Sequence, residues 1–581
     1  MAKSSIQSKV LKRWTIAACI TFIAIQGVAN TNVLPQERAI VNDNNISHKV
    51  SGTQGAVAVE NEQCSNVGLN VLKDGGSAVD SAIASSLCIG VINSFATGIG
   101  GGGFMLVRTS KGEYDFIDYR ETAPSASTKD MYAKNATLSQ VTGLAVGIPG
   151  EIRGFELAHS KQLPWSRLFR DAIDIARDGF VTNDLMHSRL KSAQKWLLNL
   201  PEWVEVFAAN GTIAKPGDII KRPALAKTLE TIADQGADSF YSGFIAKSIV
   251  NTIAKNSGII TLEDLKNYKA LNRPVISTTY HNSKIFTTSA PTSGPVLLNI
   301  LNLIEPYNFY KDGGRNTLNM HRLVEAFKFA YAARTEMGDP YFNDIEKRME
   351  ELISKEWADS VRLNITDNET HNFEYYNPRF EGNNPHGTMH LSVVGKDNSA
   401  VSLTSTVNLS FGSGIMDTKT GIIFNDAQDD FSSVGVANAF GFSPSAANFI
   451  APGKRPLSSI TPTIIEDKDG NLKMIVGASG GSVIITAAIN TIINALDFKM
   501  DLFDSVGLPR IHHQLSPNKI GIEPGFDSRI TEGLIKLGHQ IYHLDLDTGG
   551  IVSAVQTILR YPNGTMDAAS DPRKFGLAAA Y

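Results

Sequence analysis

Thr388 follows Gly387 at the head of the run GTMHLSVVGKDNSAVSLTSTVN, whose far end carries Thr404, Ser405 and Thr406. A threonine hydroxyl is a weak nucleophile unless a base stands beside it, and no histidine or lysine of this run is spaced to serve. The α-amine of a chain terminus, with a pKa of about 7.7–8.0, supplies such a base once the chain is cut before Thr388. The same hydroxyl can make that cut. Thr388 attacks the Gly387 carbonyl, the chain passes from nitrogen to oxygen as an ester, and water releases it. If residues 388–394 and 400–407 are strands joined by a turn at 395–399, Thr388 comes opposite Thr406 or Val407, and opposed Cβ atoms lie about 4.5–5.5 Å apart. A plain threonine-rich strand pair fits the same pattern, threonine being a strand former, so hydroxyl spacing alone leaves both readings open. His386 and His390 lack the intervening glutamate and helical setting of a metal-binding histidine pair, so no metal and no cofactor is expected.

The elements that must position this hairpin are legible in part. Residues 67–94 are rich in Ala, Val, Ile and Leu around Asp74-Gly75-Gly76, which predicts two closely packed helices. The glycines of TGIGGGGFMLV (97–107) satisfy G-x-G-x-x-G literally but lead into a strand-like run, which argues for close backbone approach and against a dinucleotide loop. Helical periodicity recurs over 168–176, 224–233 and 318–337. Residues 366–387 are Asn-rich without an apolar period and read as a mobile connection. Beyond them, HLSVV, AVSLTSTV, GIIF, PTIIED and KMIVGAS read as strands, followed by helical patterns after Ile484 and over 530–537, an α/β layout.

With 581 residues, 42% hydrophobic and 19% charged, and a formal net charge of -4, the chain has no cationic excess for nucleic acid. By the length prior it divides into about three or four domains. Lys9, Lys12 and Arg13 precede an apolar run over 14–25 and small residues at 27–29, so residues 1–29 read as a signal peptide, with a membrane anchor as the alternative. A secreted, extracellular chain keeps Cys64 and Cys88 after Cys19 leaves with the signal, and these are expected to pair. Asn45, Asn135, Asn210, Asn364, Asn368 and Asn563 open N-glycosylation sequons.

The run from Gly387 to Gly414 resembles the small-subunit start of the γ-glutamyltranspeptidases, or glutathione hydrolases, of the N-terminal nucleophile class. DGGSAVDSAIASSLC, DYRETAP, HRLVEAFKFAYAARTEMGDP, PGKRPLSSITPT, GASGGS and PRIHHQLSPN follow in the family's order. The resemblance implies a four-layer αββα sandwich built jointly by a large subunit (30–387) and a small catalytic subunit (388–581), a heterodimer made by autocleavage between Gly387 and Thr388. It implies Thr388 as nucleophile, Thr406 as partner of its amine, and Gly480 and Gly481 as backbone donors to the oxyanion. It assigns Arg120, Ser458 and Ser459 to the substrate α-carboxylate, and Asn408 and Asp430 to the α-amine or its surroundings. Glutathione and other γ-glutamyl compounds are the implied donors, with water, an amino acid or a dipeptide as acceptor.

Two departures stand out. Ala427 occupies a position where the family has glutamate or glutamine, with Gln428 beside it, and Ser410 stands where an aromatic is common. A hydrogen bond to a charged group contributes about 1.5–3 kcal/mol, so losing one lowers affinity about tenfold or more. The alternative function is therefore a catalytically weakened or inactive secreted effector or binding protein on the same scaffold.

Overall fold

The computed structural model describes residues 49–380, 387–434, 444–544 and 553–581. Residues 1–29, Asn45 and His386 lie outside them. The fold's centre is two seven-stranded sheets. One runs, in spatial order, Ala579–Ala580, Ala56–Val59, Met389–Val394, Ala400–Thr406, Gly102–Arg108, Tyr114–Asp118 and Leu271–Arg273. The other runs Lys49–Gly52, Met566–Ser570, Ala554–Arg560, Leu472–Ser479, Thr463–Asp467, Ser283–Thr288 and Val275–Tyr280. All the pairings within these two sheets are antiparallel.

Strand alternation decides which face meets what. In the Thr388 hairpin, Leu391, Val393, Val401 and Leu403 join the apolar cluster beneath Glu62–Lys73 and Ala78–Ile92. Thr388, His390, Ser392, Ser402 and Thr404 share the other face, toward the second sheet, where Ser392 donates to the Gln556 carbonyl (3.0 Å) and Ser402 to that of Val476 (3.3 Å). Gly477 makes room for the His390 ring, which a Cβ there would meet at 2.2 Å. Behind the second sheet lie Gly294–Ile304, Thr317–Arg334 and Val483–Leu496. The layers are thus helix, sheet, sheet, helix: the expected αββα sandwich. A disulfide joins Cys64 to Cys88 across the first helix pair, whose Cα atoms there are 5.4 Å apart.

Three expectations are corrected. The described residues form one body and not three or four domains, because each sheet draws strands from both ends of the chain. GIIF (421–424) forms no strand: Ile423 makes a single isolated bridge to Met416, since Gly421 takes a left-handed turn (φ 68°). Residues 366–376 are docked and not mobile. Tyr376 donates to Glu325 (2.7 Å), Thr370 to the same carboxylate (2.7 Å), and His321 to the Thr366 carbonyl (2.6 Å), with Phe373 and Tyr376 buried. The polar groups that hide this segment's apolar period are the ones that hold it. No helix among the described residues is long and apolar enough to cross a membrane.

Candidate active site

The register Met389↔Ser405 sets Thr388 across from Thr406, and their hydroxyl oxygens lie 3.4 Å apart. The Gly387 carbonyl oxygen accepts from the Thr406 hydroxyl and also lies in contact with the Thr388 hydroxyl. The Asn408 N–H donates to Thr406 Oγ1 (2.8 Å), fixing that hydroxyl's orientation. Gly387 has φ 141°, and a Cβ there would meet the Asn408 carbonyl at 2.1 Å. The residue before the nucleophile therefore has to be glycine.

Lys574, deeply buried, donates to the Thr388 carbonyl (3.0 Å), to Ser479 Oγ (2.7 Å) and to both oxygens of Glu60 (3.1 and 3.0 Å). Burial lowers the lysine pKa and Glu60 opposes that. Burial likewise raises Glu60, against Lys574 and Ser479. Because Ser479 immediately precedes Gly480, one ammonium ties the nucleophile's backbone to the glycine pair. Gly480 (φ 115°) and Gly481 (φ 64°) break the Leu472–Ser479 strand and lead into Val483–Leu496, whose N-terminus adds positive potential. A Cβ on Gly480 would fall 2.6 Å from Ser553 Cα.

Arg120, buried at the end of the Tyr114–Asp118 strand, pairs with Asp430 and with Glu121 (3.3 Å). Its Nε, also buried, has no hydrogen-bond partner among the described residues. Burial pushes the Asp430 carboxyl up to about 6 and Glu121 to about 7, both opposed by Arg120. The groups expected to hold the two charges of an α-amino acid thus pair with each other, an arrangement that such a zwitterion complements.

Asn408 (φ 77°) donates its amide to Asp426, which also accepts from the Leu409 N–H (2.8 Å). Phe411, packed against Phe95, Trp196, Trp203 and Phe207, pins the loop carrying Asn408 and leaves Ser410 exposed. Asn448 bridges the Asp430 carbonyl (2.7 Å) to the Leu457 N–H (2.9 Å), bringing Ser458 and Ser459 alongside. Ser459 accepts from Arg334 (3.0 Å), and Ser458 Oγ accepts from the Ile460 N–H (3.2 Å).

His390 is fully buried, and burial lowers its pKa to about 3. The neutral ring bonds Thr404 Oγ1 at 2.8 Å. Among the described residues, His321, Glu325 and His539 form the one cluster with the spacing of metal ligands, and Lys328, 3.0 Å from Glu325, is the cation already within it. The sequon asparagines at 135, 210, 364, 368 and 563 are exposed. Glu60 and Lys574 escaped the sequence reading. They are 514 positions apart, and no local pattern marks either one.

A family model described as gamma-glutamyltranspeptidase matches residues 64–581. The chain belongs to the γ-glutamyltranspeptidase family. It is 42% identical over 540 residues to glutathione hydrolase proenzyme 1 of Schizosaccharomyces pombe, covering 92% of this chain and 85% of that protein. It is 36% identical over 592 residues to the glutathione hydrolase proenzyme of Escherichia coli K12, covering 99% and 100%. Cephalosporin acylase from Bacillus halodurans shares the fold, with a TM-score of 0.79 at 24% identity over 95% of this chain and 99% of that one. This γ-glutamyltranspeptidase-family chain is accordingly an enzyme of γ-glutamyl hydrolysis and transfer, with the N-terminal nucleophile hydrolase sandwich.

Proposed function

We propose that the chain is a secreted, self-processing glutathione hydrolase that cuts itself between Gly387 and Thr388 and then carries the γ-glutamyl group as an ester on Thr388. The observation that supports this most directly is the Gly387 carbonyl set against the Thr388 and Thr406 hydroxyls. Attack by Thr388 Oγ1 forms the ester as the carbon–nitrogen bond breaks and the nitrogen takes the hydroxyl proton. Water then frees residue 387 as a carboxylate and leaves Thr388 with a neutral amine as its base. In turnover the Gly480 and Gly481 N–H groups meet the oxyanion, and donors of that kind contribute about 100- to 1,000-fold in rate. Arg120 exchanges Asp430 for the substrate α-carboxylate, and Asp430 takes the α-ammonium. The ester passes to water, an amino acid or a dipeptide.

Ala427 favours a second reading, a weakened enzyme or binding protein. Its side chain offers the ammonium no acceptor, and both amide atoms of neighbouring Gln428 are buried without a partner among the described residues. Mass spectrometry of the secreted protein and release of anilide from a γ-glutamyl anilide test both readings. Two fragments and release above that of Thr388→Ala support the enzyme. An uncut chain matching that variant overturns it.

A further inference from the structure

Neither Glu60 nor Lys574 is needed to bind substrate or to break a bond, yet both stand against the nucleophile residue. The side-chain nitrogen of Lys574 meets three acceptors: the Thr388 carbonyl (3.0 Å), Ser479 Oγ (2.7 Å) and the Glu60 carboxylate (3.1 and 3.0 Å). The Ser479 hydroxyl gives its own proton to Glu60, so its oxygen accepts from the lysine. Three acceptors call for three N–H donors, which an ammonium has and a neutral lysine amine lacks. The charge is therefore in place, and Glu60 holds it there against the cost of burial.

The two residues arrive from opposite ends of the chain. Glu60 directly follows the Ala56–Val59 strand, which pairs with Met389–Val394, and also accepts from the His390 N–H (3.4 Å). Lys574 ends the turn Pro572–Lys574, where Asp571 is held by Arg510 and Arg573. Within Thr388 the nitrogen and the carbonyl oxygen are three bonds apart, about 2.7–3.6 Å, so that nitrogen lies within about 7 Å of the Lys574 ammonium. Cleavage before Thr388 turns the nitrogen into an amine and leaves the carbonyl in its strand. Among the described residues Glu60 binds Lys574, Ser479 and the His390 N–H but not Thr388, so the pair presents its positive end to the nucleophile. The other charges nearby are Arg189, on the Asp184–Leu197 helix, which adds to the positive potential, and Asp571 with its two arginines. His390, on the nucleophile's own strand, is neutral, and Thr406 and Ser479 bring hydroxyls only.

We propose that Glu60 and Lys574 are positioning residues for the catalytic base: the positive end of the pair keeps the freed Thr388 α-amine in the neutral form that accepts the hydroxyl proton. The inference rests on the Thr388 ester reading above. In acylation the neutral amine takes the proton of Thr388 Oγ1 as that oxygen bonds the γ-carbon. It gives the proton to the departing nitrogen as the carbon–nitrogen bond breaks, and ends neutral again. A protonated amine has no lone pair for the first of these transfers. A like charge a few ångströms away disfavours the protonated form, which extends activity to lower pH than a free chain terminus, with its pKa of about 7.7–8.0, would allow.

The test is the pH dependence of kcat/KM for a γ-glutamyl anilide on the cleaved enzyme, whose acid limb reports the free enzyme's base. In the parent the midpoint of that limb is expected below the about 7.7–8.0 of a free terminus. In Glu60→Gln/Lys574→Met it should rise by about one pH unit, with the plateau at higher pH largely kept. In Lys574→Arg, which retains a cation, it should stay near the parent's. Recovery of two fragments reports the folding of each variant. A double variant with the parental midpoint overturns the proposal, and so does one that loses rate equally at every pH, because the pair would then be structural alone. Carbamylation of the Thr388 amine by cyanate, followed by the mass of the small fragment, reads the same proton equilibrium in the parent without any substitution. A midpoint there at or above that of a free terminus also overturns the proposal. If the parent releases no anilide in a Thr388-dependent way, the ester reading has failed, an outcome distinct from an unshifted amine in the cyanate titration.

Discussion

Replacing Gly387 by alanine tests the self-cleavage geometry with one methyl group. The new Cβ would lie 2.1 Å from the Asn408 carbonyl oxygen. Carbon–oxygen contact normally begins near 3.3 Å, so something must give by about 1.2 Å. Asn408 is the less able to move, since its N–H is bound to Thr406 (2.8 Å) and its side chain and the next N–H to Asp426. Residue 387 moves instead, and takes its carbonyl away from the two hydroxyls. A 1 Å misplacement of reacting groups costs on the order of 100-fold. Holding a non-glycine residue at φ 141° costs a further ~1–3 kcal/mol, or about 5- to 160-fold if it is paid in the transition state. Cleavage of Gly387→Ala should therefore be at least about 100-fold slower than in the parent, read as the two fragments appearing over time on a denaturing gel. Gly211→Ala, with φ 76° and open space around its Cβ, controls for backbone strain alone. A folded Gly387→Ala protein that cuts itself at the parental rate would refute the placement of the scissile carbonyl.

Two further predictions concern the buried charges. Lys574→Met strands Glu60 and should cost about 3–5 kcal/mol, measured by chemical denaturation. The double variant Glu60→Gln/Lys574→Met should lose less than Lys574→Met alone, and simple additivity of the two single changes would argue against the pair. Glu151, a buried acceptor from Ser405 on the strand that carries Thr406, is pushed by burial from 4.5 up to about 8. A raised carboxyl pKa gives stability that is full below about pH 4.5 and is lost as the pH climbs to about 8, because the unfolded chain sheds the proton first. Glu151→Gln cannot lose that proton, so its stability relative to the parent should rise by a few kcal/mol between pH 5 and pH 8.5. A pH-independent difference would contradict the buried, protonated assignment.

What the sequence disclosed follows from the range of the interactions involved. The hairpin was legible because alternation and a turn are local, and they narrowed the partner of Thr388 to Thr406 or Val407, of which the register Met389↔Ser405 selects Thr406; the two helices around Asp74-Gly75-Gly76 and the Thr317–Arg334 helix were legible for the same reason. GIIF misled because an apolar run signals burial, which it has, but says nothing of whether a partner strand is available. Residues 366–376 misled in the opposite sense: an Asn-rich run looks solvated until Glu325, Lys328 and His321 of a single helix are placed beneath it. Glu60 and Lys574 were invisible, since nothing local distinguishes a buried ion pair from two surface charges. Arg334 was hidden by the same logic within the Thr317–Arg334 helix. The polar residues that sequence periodicity left over, Arg334, Glu325 and Lys328, are those through which that helix holds the site and the segment leading to it. A polar residue on an otherwise buried helix therefore carries more functional information than the stripe beside it, because burial without a partner is the costlier state and so needs a reason.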